Sequence, residues 1–98
     1  MTQDARTPKT AVNRAYVLIE TEAGKASEIA EALRRRFRIA RVDLVEGPYA
    51  VIAVVEGADI SAMAKTIAVD IRALTGVKDI IVYMAKKKER LATGTGGR

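Results

Sequence analysis

The chain has no cysteine, no histidine and no tryptophan, and holds one phenylalanine and two prolines in 98 residues. Each absence removes a class of chemistry. Without histidine or cysteine there are no residues for the usual zinc and copper sites, for a thiol nucleophile or for an imidazole base. A metal-shuttling loop of the Cys-x-x-Cys kind is excluded for the same reason. No metal site, no cofactor and no catalytic residue are expected. Aromatic residues make up 4% of the chain, so the core must be aliphatic. No stretch reaches the roughly 18 uninterrupted apolar residues of a membrane span. The leading "MTQDARTPKTAVNR" has no apolar signal core, and the expectation is a cytoplasmic protein without membrane contact. "GTGG" near the C-terminus precedes a single residue and no helix, so it does not cradle phosphate.

What is present fits one globular domain: 49% hydrophobic and 30% charged residues, with a net charge of +5. The excess of cations sits largely in "KKKER" and the residues after it. Residues 86–98 hold five cations against Glu89, and without them the net charge falls from +5 to +1. The division expected is a flexible arm over 1–13, a folded unit over 14–85 and a basic, flexible tail over 86–98.

Periodicity predicts the elements. "RAYVLIET" from Arg14 reads as a strand that is apolar on both faces. "KASEIAEALRRRF" places apolar residues at 26, 29, 30, 33 and 37 on one helical face, with Glu31 and Arg35 spaced to pair on the other. "IARVDLVE" is a second strand, with Ala40, Val42 and Leu44 on one side and Arg41, Asp43 and Val45 on the other. The short link through Gly47 and Pro48 implies an antiparallel hairpin into a third strand, Tyr49 to Glu56. Asp59 caps a second helix over "ISAMAKTIAVDIRALT", which Gly76 ends. "VKDIIVYMA" is the fourth strand.

Strand–helix–strand, twice over, is the α+β ferredoxin-like βαββαβ sandwich when the crossovers are right-handed. Its sheet is four-stranded and antiparallel, in the order 4-1-3-2, with both helices on one face. A bare sheet face in water should show alternation, and most of these strands do not. About eight apolar side chains fall on the uncovered face, for which burial is worth at most ~12–24 kcal/mol per subunit. Association costs about 4–15 kcal/mol. The balance favours a homodimer stacked sheet on sheet about a twofold axis.

Two other uses of this strand order fit less well. RNA-recognition domains stack bases on aromatics of the middle strands, whereas the third strand here is Ala-Val-Ile-Ala-Val-Val after Tyr49. Sequence-specific DNA binding needs a helix-turn-helix or its equivalent, which the residues before Arg14 do not supply. A small cofactor-free monooxygenase on the same dimeric fold, and an oligomer holding nucleic acid through its basic tails, remain as alternatives.

The order of the motifs resembles one family. A strand is followed by an acidic residue, a small turn and a helix. Gly47-Pro48-Tyr49 forms a Gly-x-aromatic turn, Asp59-Ile60-Ser61 opens the second helix, and "TGV" at 75–77 leads into the last strand. Over residues 14–85 this is similar to the effector-binding (RAM) domain of the Lrp/AsnC transcriptional regulators, in a form without their helix-turn-helix domain. The resemblance implies a non-catalytic module that binds an amino acid or related metabolite. It implies dimers assembled into rings such as octamers, and action on transcription or amino-acid metabolism through a partner such as a full-length regulator. By position it implies a ligand pocket built from Gly47, Pro48, Tyr49 and Ala50, from Asp59 and Ile60, and from Tyr83, Met84 and Ala85. Relatives usually carry Asp after the Gly-x-aromatic turn, where it helps shape the pocket; this chain has Ala50.

Overall fold

A computed structural model describes residues 13–86. The elements in chain order are β1 (Asn13–Thr21), α1 (Ala26–Arg34), β2 (Ile39–Leu44), β3 (Val51–Gly57), α2 (Ile60–Thr66), a π-helical continuation of α2 (Ile67–Arg72) and β4 (Val77–Met84). Asn13, assigned to the arm by sequence, begins β1. The remainder of the arm, and the tail beyond Lys86, lie outside the described residues.

β1 sits at the centre, antiparallel to β3 on one side and β4 on the other, and β2 flanks β3. This is the expected 4-1-3-2 order. The register brings Val17 opposite both Ala53 and Val82, and Leu18 opposite both Ile52 and Ile81. Because side chains alternate along a strand, the two sets belong to opposite faces. Ala15, Val17, Ile19, Val51 and Ala53 are fully buried beneath the helices. They meet Ile29, Ala30 and Leu33 of α1, and Met63, Ile67 and Ile71 of the second helical segment, to make one aliphatic core.

The helices are held at their ends by local chemistry. The Asp59 carboxylate accepts from the backbone N–H of Ser61 at 2.9 Å and of Ala62 at 3.4 Å, which caps α2 as expected. The segment then widens at Ile67 into the longer-range bonding of a π-helix, keeping Met63, Ile67 and Ile71 on the sheet side. Gly76 takes φ of +98°, a conformation that suits glycine, and its carbonyl accepts from Glu22 N–H at 2.8 Å to anchor the start of β4.

Three local expectations need correction. α1 ends at Arg34, and Phe37 is 91% exposed instead of joining the core, because the chain has already turned toward β2. Glu31 meets Arg34 at 3.8 Å, one residue nearer than the Arg35 anticipated. In β2 the register slips between Ile39 and Arg41, so that Ile39 enters the core, while Ala40 lies with Arg41 on the open side and not with Val42. A bulge of this kind breaks strict alternation, which is why the pattern at Ala40 misleads.

Candidate functional site

The face of the sheet away from the helices carries an apolar centre inside a charged border. The centre is Tyr16 and Leu18 of β1, Ile52 and Val54 of β3, and Ile81 and Tyr83 of β4, all in register with one another. Tyr83 is 58% exposed and Tyr16 36%, and no element of the described chain lies over them. At one border Arg14 donates to the Glu56 carboxylate at 2.8 Å. The Tyr16 hydroxyl and Glu56 together raise the already high pKa of Arg14, which fixes its charge at the rim. Within β2, Arg41 donates to the Asp43 carboxylate at 3.0 Å. Between these pairs the sheet is hollowed into a trough of about 610 Å³, floored by Ile52 and Val54.

The border at the other end is acidic. Glu20 of β1 stands opposite Asp79 of β4, and Tyr49 lies close to both. Partial desolvation raises the phenol pKa of Tyr49 above its ordinary value, and the nearby charges of Asp79 and Glu20 push it in the same direction.

The nine residues implied as a pocket do not converge within one subunit. Gly47, Pro48, Tyr49 and Ala50 belong to the hairpin, at the end of the sheet where Ile19 pairs with Val51. Asp59, Ile60, Tyr83, Met84 and Ala85 belong to the opposite end, where Asn13 pairs with Gly57 and Ala15 with Met84. The six residue steps of β3 separate the backbones of the two groups by about 20 Å at ~3.3 Å per residue, and across that distance only the Tyr49 phenol reaches near enough to Tyr83 to feel its charge. The start of α2 is also less open to a ligand than its position implies, since the Ser61 and Ala62 N–H groups are already taken by Asp59. Gly47, with φ of +143°, turns the hairpin, which Val45 N–H closes on the Ala50 carbonyl at 2.8 Å.

Ile60 and Met84 do meet, on the helix side of the sheet. They line a groove of about 280 Å³ between α2 and β4, together with Met63, Ile80, Val82 and Arg72. Arg72 was not anticipated from sequence. Its signal was there: β4 offers apolar residues on both faces, more than one short helix can cover, and a cation closes that helix. Among the described residues no cluster of acidic side chains suited to a metal ion is found, and no helix is long and apolar enough to cross a membrane.

Comparison with known proteins accords with this architecture. The family model described as the Lrp/AsnC ligand binding domain matches residues 14–91. No curated protein matches the sequence. Among solved structures, TTHA0845 from Thermus thermophilus is 27% identical with a TM-score of 0.71, the match covering 76% of this chain and 94% of that one. E. coli AsnC superposes with a TM-score of 0.75 at 13% identity, covering 93% of this chain and 63% of AsnC. The Neisseria meningitidis transcriptional regulator NMB0573, solved as a complex with L-Met, gives a TM-score of 0.68 at 16% identity, over 81% of this chain and 53% of that one. The last two likenesses are of fold alone. The match over residues 14–91 puts this βαββαβ sheet in a ligand-binding class of domain. The chain belongs to the Lrp/AsnC ligand-binding domain family.

Proposed function

We propose that this protein is a non-catalytic, homo-oligomeric effector module: two copies pack open face to open face, and a small metabolite bound between dimers biases the assembly. The observation that carries the proposal is the apolar centre of the open face, formed by Tyr16, Leu18, Ile52, Ile81 and Tyr83 around an already buried Val54. Full burial of such a side chain is worth ~1.5–3 kcal/mol, and less than a third of the surface of these residues is exposed on average, so roughly 3–5 kcal/mol per protomer is gained on stacking. Counted on both protomers, this falls within the association cost of about 4–15 kcal/mol.

The separation of the two candidate clusters suits an oligomer. The hairpin residues Gly47–Ala50 of one dimer and the Ile60–Met84 end of another would complete a ligand seat that neither subunit holds alone. The L-Met complex of NMB0573 supports an amino acid or a related metabolite as the occupant. A ligand that spans such a seam favours the assembly containing it, by mass action. The output is transcription or amino-acid metabolism, reached through a partner such as a full-length regulator in a mixed oligomer. A ring of dimers, such as an octamer, is the proposed assembly, and the cytoplasm its location.

Light scattering and thermal melting with and without a panel of amino acids test the proposal. The expected result is a mass of at least two subunits, with mass or melting temperature shifted by one amino acid or a small subset. A protein whose mass and melting temperature respond to none of them would overturn the sensing role.

A further inference from the structure

The helix side of the sheet carries a second uncovered surface. α2 and its π-helical continuation leave the edge strand β4 partly exposed, with Val82 at 40% and Met84 at 46%. The resulting groove of about 280 Å³ is lined by aliphatic and thioether side chains, and its one polar residue is Arg72. Among the described residues Arg72 pairs with no carboxylate; the same holds for Arg35 and Arg38, but of the three only Arg72 lines a pocket without an acidic side chain. An apolar trough that ends in a single unpaired guanidinium is complementary to one shape of ligand, a hydrocarbon chain ending in one anion.

We infer that the groove binds a small aliphatic monocarboxylate, its chain along Met63, Ile80 and Val82 and its carboxylate on Arg72. The inference rests on the reading of Ile60 and Met84 as ligand contacts, and it names the ligand class they serve. The discriminating feature is a missing acceptor. No acidic or amide side chain lines the groove, so an α-ammonium group beside the carboxylate would stand next to the Arg72 cation with no acceptor to offset the repulsion. The groove therefore selects a carboxylate without an amino group, such as a fatty or oxo acid, over the matching amino acid. An alcohol of equal chain length would fill the apolar part and leave Arg72 unused.

The test uses the full chain with methyl-labelled Ala, Met and Ile, titrated by NMR with hexanoate, norleucine and hexanol, which share a six-carbon chain. Hexanoate is expected to shift the Met63, Met84 and Ile80 methyl signals saturably. Norleucine and hexanol should bind at least about tenfold more weakly, the scale of one charge-assisted hydrogen bond. Arg72→Gln, at an exposed position where folding is not at stake, should weaken hexanoate by about tenfold or more and leave hexanol unchanged, while Arg72→Lys retains part of the preference. Equal affinity for norleucine in the groove would overturn the assignment of ligand class. A norleucine response at the Ala50 methyl with none in the groove would overturn the site and leave the effector-module proposal standing. Methyl signals that move with protein concentration and not with ligand would also overturn it, by making the groove a contact between copies.

Discussion

Leu18→Asp places a charge at the centre of the open face. Leu18 lies between Ile52 on β3 and Ile81 on β4, with its neighbours Val17 and Ile19 pointing the other way into the core. The substitution therefore leaves the core untouched. In a twofold dimer it acts twice. Each protomer loses about 1 kcal/mol of leucine burial, since the side chain is only partly exposed before stacking. Each also buries a carboxylate with no partner at that position, which costs at least ~2 kcal/mol more even after relaxation. The total of about 6 kcal/mol raises the dimer Kd by roughly ten-thousand-fold. Leu18→Ala, which omits the charge, should raise it by about tenfold to a hundredfold only. Sedimentation velocity over a dilution series reads both, with far-UV circular dichroism confirming that the monomer remains folded. A folded Leu18→Asp variant whose dimer is as tight as the unsubstituted protein's would refute the stacking of this face.

Other outcomes follow from local geometry. Asp59→Ala removes the acceptor of the Ser61 and Ala62 N–H groups and should cost about 1 kcal/mol. For a domain of this size, that appears in calorimetry as a fall in Tm of ~4–8 °C. Gly76→Ala forces a side chain onto φ of +98° and sets a Cβ 3.2 Å from Ile29 Cδ1. The expected loss is about 1–3 kcal/mol by chemical denaturation, and an unchanged midpoint would show that the turn relaxes freely. The raised phenol pKa of Tyr49 means the fold prefers the neutral ring, so its contribution is complete below the ordinary pKa of 10.0 and is lost as pH rises through the higher folded value. Ultraviolet difference titration should show one tyrosine ionising late, and Asp79→Asn should bring it back toward the ordinary range.

The fold was legible where a single periodicity governed each segment. The apolar residues at 29, 30 and 33 marked the inner face of α1, and the cap at Asp59 marked the start of the second helical segment, which ends at Arg72, four residues before the glycine expected to close it. The unbroken Val51–Val55 run showed correctly that β3 is apolar on both sides. Sequence alone could not reveal the bulge at Ala40, because a one-residue slip leaves the composition of the strand unchanged and alters only its pairing. Phe37 misled for a related reason: its spacing fits the α1 face, but the helix ends before it. The candidate site was legible by kind and not by place. Hairpin, helix start and last strand were each found, and only the sheet register puts them at two ends. Arg72 escaped notice because a cation at a helix end is ordinarily a favourable match for the helix dipole, with no ligand needed to explain it.

The most direct measurement is an isotope-filtered NOE experiment on a mixture of methyl-labelled and unlabelled chains. A face-to-face dimer requires cross-peaks from the Leu18, Ile52 and Ile81 methyl groups of a labelled chain to protons of an unlabelled one. Val69, which is 62% exposed on the helix side, should show none. If the three central methyl groups give no signal between chains under conditions where the mixture has exchanged, the open face is not the contact between copies.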